Sequence, residues 1–69
     1  MPALKFNPEN LDSIDFAIME ALQSNGRLPV VELAKRINLS PTPCTLRMRK
    51  LEQDGVISGY HARLNPAVL

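Results

Sequence analysis

The chain has 69 residues, of which 45% are hydrophobic and 22% charged, with a formal net charge of +1. That length holds one small domain near the lower limit of what folds without disulfides or metal, and the composition excludes wholesale disorder. A single cysteine excludes an internal disulfide, and no apolar run approaches the ~20 residues that span a bilayer, so a reducing, cytoplasmic setting is expected.

Residues 1–10 contain two prolines and no periodicity, and are expected to form a flexible N-terminal lead-in. From Leu11 or Asp12 to Ser24 the spacing predicts a helix, with Leu11, Ile14, Ile18, Ala21 and Leu22 on one face. Asp12 and Asp15 suit the positive end of its dipole, and Asn25-Gly26 is expected to supply a left-handed stop. A second helix should open at Pro29 or Val30, burying Leu33, Ala34 and Ile37 while Glu32, Lys35 and Arg36 face out. Ala34 is small enough to let a crossing helix approach closely. Asn38 then stands where the tight turn needs a left-handed residue.

Ser40-Pro41 marks the start of a third helix, because a serine hydroxyl can accept from the first-turn amides and proline at the first position wastes no donor. Cys44, Met48 and Leu51 form its apolar stripe, opposite Thr42, Thr45, Leu46, Arg49, Lys50 and Gln53. Asp54-Gly55 breaks the pattern, and Val56, Ile57, Tyr60 and Leu64 read as short β segments around Ser58-Gly59.

Charge is sorted along the chain. Lys35, Arg36, Arg47, Arg49 and Lys50 fall between Leu33 and Leu51, where there is no acidic residue, while Glu9, Asp12, Asp15 and Glu20 lie near the N-terminus. Since screening limits attraction to about 8–10 Å at physiological salt, this local patch outweighs the near-neutral total. Two tight-turned helices alone fit either a DNA-reading helix-turn-helix or a winged-helix protein-interaction module without DNA. Arg47, at the edge of the apolar stripe, fits a structural ion pair or a phosphate contact equally well. Cys44 with His61 as its base is a weak catalytic pairing, because a thiol on the apolar stripe behaves as a small hydrophobe. With no glycine-rich phosphate loop and no metal-ligand spacing, no enzyme, cofactor or metal ion is expected.

The run ELAKRINLSPTPCTLRMRKLEQDGVISGYHARLNP, preceded by LDSIDFAIMEALQSNGRLP, resembles the DNA-binding domain of the Lrp/AsnC (feast/famine) transcription regulators of bacteria and archaea. Asn38 stands where that family usually has Gly, and Leu46 is apolar where it is more often polar. The resemblance implies an all-α domain over residues 11–64, a three-helix winged helix-turn-helix with a minimal β wing. It further implies that residues 65–69 begin a linker to an absent C-terminal domain that binds a small-molecule effector, in some cases an amino acid, and holds the protein as a homo-oligomer. A nucleoid-associated protein is then expected, its third helix (about 41–53) in the major groove of double-stranded DNA. Thr42, Thr45, Leu46 and Arg49 would meet base edges, while Lys35, Arg36, Ser40 and Lys50 would hold phosphates.

Overall fold

The structure, a computed structural model of the chain, describes residues 10–68, so the expected lead-in lies almost wholly outside the described residues. Three helices follow in order: α1 (Ser13–Ser24), α2 (Val30–Arg36) and α3 (Pro41–Gln53). At the start of α1, Asp12 accepts from the Asp15 amide at 2.9 Å while the Asp15 carboxylate accepts from the Asp12 amide at 3.2 Å. This reciprocal capping box satisfies two amides that the helix leaves without a partner.

The core is one cluster in which Ile18, Leu22, Leu33, Ala34, Cys44 and Leu51 are buried, with Ile14, Ile37, Leu39, Met48 and Val56 packed around them. Burying a side chain such as Ile18 or Leu33 stabilises the fold by about 1.5–3 kcal/mol. Ala34 is buried in this cluster.

Two left-handed residues shape the ends of this core. Asn38 has φ 55, and the Asn38 and Leu39 amides donate back to Lys35 and Ala34 at 3.3 and 2.9 Å, closing α2 with a Schellman cap. Gly55, with φ 80, repeats the device after α3: its own amide donates to Glu52 and the Val56 amide to Leu51, at 3.2 and 3.0 Å. In each case the residue after the left-handed one, Leu39 or Val56, packs on the core.

Three local expectations are corrected. Asn25-Gly26 is not a left-handed stop: Asn25 is extended (φ −151), and its side-chain oxygen accepts from the Arg27 amide at 3.0 Å. That side-chain turn, with the Leu28 amide donating to the Asn25 carbonyl at 3.2 Å, does the reversing without positive φ. Ser40 stands at the N-cap of α3, but its hydroxyl makes no cap bond. A serine cap accepts from the second or third helical amide, and the third residue here is Pro43, which has none. Finally, no strand forms among the described residues. Val56 and Ile57 instead donate to the Leu51 carbonyl at 3.0 and 3.1 Å, which spends their amides on the end of α3. The following exit segment (residues 58–64) runs without regular structure, since a lone two-stranded ribbon is marginal in water.

Candidate nucleic-acid interface

The exposed arc of α3 follows from its buried one. Cys44 and Leu51 are buried and Met48 half-buried, so Thr42, Leu46 and Arg49 stand on the far side, all exposed. At 3.6 residues per turn these three and Thr45 share an arc of about 100°, the width one groove of DNA can meet. Thr45 is half-buried and stands at the arc's margin. Leu46, 60% exposed, is an apolar side chain held out in water on an otherwise polar face. Folding alone does not explain that position.

The cations of α2 and α3 are committed unequally. Lys35 lies 3.8 Å from Glu32 on α2, a loose and exposed pair worth little. Arg36, Arg49 and Lys50 are exposed and have no carboxylate within 4.0 Å among the described residues. Ser40 is exposed beside Pro41, its hydroxyl uncommitted.

Arg47 has a different task. Its guanidinium meets both carboxylate oxygens of Asp12, at 2.7 and 2.6 Å, and reaches Asp15 at 3.3 Å. Of the two roles its position allowed, the ion pair is the one formed, tying the middle of α3 to the start of α1. The Arg47 hydrogen bond, with the Asp15 amide, holds the Asp12 carboxyl down at about 2, and the same contact raises the Arg47 guanidinium above its usual value. Sequence spacing could not reveal this pairing, because its partners are 35 and 32 positions away.

Tyr60 is also tied, and not in the core. It is 45% exposed, and its hydroxyl donates to Glu52 at 2.8 Å, joining the exit segment to the last turn of α3. Partial desolvation and the neighbouring Glu52 carboxylate push the hydroxyl up to about 12, so it remains a donor at neutral pH. Cys44 is buried, and desolvation raises its thiol pKa, which disfavours the thiolate a nucleophile needs. No cluster of three His, Cys, Asp or Glu side chains suited to a metal ion occurs among the described residues, and no helix there is long and apolar enough to cross a membrane.

A family model described as winged helix-turn-helix DNA-binding matches residues 11–58, the span that holds all three helices and both left-handed caps. The leucine-responsive regulatory protein of Haemophilus influenzae is 51% identical over 59 residues, covering 86% of this chain and 36% of that protein. Its Escherichia coli counterpart is 54% identical over 61 residues, covering 88% and 37%. Among solved structures, an AsnC family transcriptional regulator from Agrobacterium tumefaciens superposes with a TM-score of 0.80 at 43% identity, over 84% of this chain and 38% of that one. The chain is a winged helix-turn-helix DNA-binding domain of the Lrp/AsnC family.

A second solved structure, a Neisseria meningitidis transcriptional regulator in its L-methionine complex, gives a TM-score of 0.83 at 46% identity, covering 86% of this chain and 38% of its own. The chain thus spans well under half the length of these relatives. Leu46 stands on the exposed arc of α3, at the end opposite Thr45, and Asn38 at the turn into α3.

Proposed function

We propose that the domain binds specific sites on double-stranded DNA in the control of transcription, with α3 in the major groove. The observation that carries this reading is the α3 arc: Thr42, Leu46 and Arg49 exposed together, opposite buried Cys44 and Leu51, with Lys50 on the same helix and Arg36 on α2 both exposed and free of carboxylates among the described residues. Arg49 pairs naturally with a guanine edge, and Leu46 fits a thymine methyl but cannot hydrogen-bond a base. Thr45 contributes from the margin of the arc. Ser40, Lys35, Arg36 and Lys50 hold phosphates and fix register, while Arg47 stays with Asp12 and Asp15 and sets the angle of α3.

One module offers few base contacts, so useful specificity requires two copies acting together, on half-sites about 34–36 Å apart or a multiple of it. In the whole protein, assembly and the response to a small effector such as an amino acid belong to the part beyond this domain, and binding takes place on the nucleoid. Fluorescence anisotropy on specific and random duplexes across a salt series tests the assignment. Arg49→Ala should cost about 1–3 kcal/mol on the preferred site and flatten discrimination, whereas Lys35→Ala and Arg36→Ala should weaken all DNA alike and each lower the salt slope by about one unit. Equal losses on both duplexes for Arg49→Ala would move it to the phosphate class, and binding indifferent to salt would sink the DNA reading in favour of an apolar protein contact.

A further inference from the structure

Setting its two prolines aside, α3 has one apolar residue outside the core. Cys44 and Leu51 are buried and Met48 packs against the core cluster, whereas Leu46 is 60% exposed and is not among the side chains packed there. Its neighbours along the helix are polar. Thr42 lies four residues before it, and Arg49 and Lys50 three and four after; all three are exposed, and neither cation has a carboxylate within 4.0 Å among the described residues. A protein partner would need several apolar side chains side by side at the heart of its contact, and one leucine among hydroxyls and cations does not supply them. These surroundings suit a polyanion that presents an isolated apolar group.

DNA has such a group. In the major groove thymine shows an O4 acceptor and a methyl group on C5, while cytosine shows an N4 donor and a bare C5. Leucine carries neither donor nor acceptor, so it is blind to the difference between O4 and N4 and meets only the methyl. Resting on the DNA-binding reading above, we propose that Leu46 reads the C5 methyl group of a pyrimidine rather than the base that bears it. Thymine and 5-methylcytosine then gain equally from their methyl groups at this place in the site, and binding responds to cytosine methylation. The helix also says where. Leu46 and Arg49 are three residues apart, about 4.5 Å along the axis, and base pairs stack about 3.4 Å apart. The methyl-bearing pyrimidine should lie within about two base pairs of the guanine that Arg49 contacts.

In the test, the 69-residue chain selects its preferred site from a randomised duplex library at about 50 mM salt. Anisotropy then compares, at each pyrimidine of that site, thymine with uracil and 5-methylcytosine with cytosine, pairs that differ only in the methyl. At one place the methyl should tighten binding about fourfold in both comparisons, the factor that burying one such group gives. Leu46→Met should keep both gains. Leu46→Ala should abolish them, and so should Leu46→Gln, which keeps the length of the side chain but not its apolar end; two such variants guard against one that fails to fold. Because the modified bases also alter the DNA itself, the gain is taken as the difference between parent and variant on the same duplexes. A site with no methyl gain anywhere overturns the proposal. So do gains that survive in Leu46→Ala and Leu46→Gln, which would hand the methyl to a threonine, and a gain for thymine without one for 5-methylcytosine, which would make the contact specific to thymine. A gain more than two base pairs from the pair whose discrimination Arg49→Ala flattens overturns it as well. Arg49→Ala also keeps the two readings apart: if it still flattens discrimination while the methyl has no effect, only the Leu46 proposal fails.

Discussion

Replacing Asn38 by valine tests the geometry of the turn that delivers α3. At φ 55 the backbone is left-handed, which costs an ordinary L-residue about 1–2 kcal/mol and a β-branched one at least as much. Asparagine offsets part of that strain, and glycine escapes it at the expense of a floppier unfolded chain. Asn38 is exposed, so neither substitution empties or crowds the core. Asn38→Val should therefore destabilise the domain by about 1–2 kcal/mol, which in a domain of this size lowers the melting temperature by roughly 4–16 °C. Asn38→Gly should be neutral or slightly stabilising. Thermal melts followed by far-ultraviolet circular dichroism read both without any DNA. If valine is tolerated as well as glycine, the left-handed cap and the reasoning built on it are wrong.

The acid limb of stability should report the Arg47 contact. Asp12 titrates at about 2 in the folded chain against its usual 3.8, so its contribution is complete above about pH 4 and is lost as pH falls towards 2. Arg47→Met should lower the melting temperature at pH 6 and flatten its decline between pH 4 and 2; an unaltered acid limb would remove Arg47 as the cause. The two glycine turns should respond oppositely to alanine. Gly55→Ala, at φ 80, should lose about 1 kcal/mol, whereas Gly26→Ala should be tolerated, its new Cβ no closer than 3.8 Å to the Leu22 carbonyl oxygen. Equal melting temperatures for the pair would refute that contrast.

The helices and their inward faces were legible because a 3.6-residue period survives any tertiary context: Ile18, Leu22, Leu33, Ala34, Cys44 and Leu51 all lie on the faces that periodicity assigns to the core. The turn at Asn38 was legible for a related reason, since only four residues separate the two well-marked helices and one of them must reverse the chain through a left-handed conformation. The misread positions share a different cause. Asn25 and Ser40 each have a side chain able to bond the local backbone, and which bond forms depends on neighbours within three residues: the Arg27 amide accepted by one, the missing Pro43 amide denied to the other. The wing was overread because strand propensity at Val56 and Ile57 says nothing of pairing, and both amides close the end of α3 instead. Arg47–Asp12 and Tyr60–Glu52 are contacts of the finished fold, and no short-range spacing encodes them.

The two prolines in the first turn of α3 reach beyond the unmade serine cap. Each fixes its own φ near the helical value in the unfolded chain, so the end of α3 that leads with Thr42 is partly ordered before any tertiary contact forms. Helix ends normally fray, and a frayed end that grips a ligand must first be stilled, which weakens binding by the entropy lost. Here that entropy is surrendered in the covalent chain. On the proposed DNA-binding reading, the threonine-bearing end of the helix meets its partner already stiff, and the association rate should owe little to waiting for it to settle.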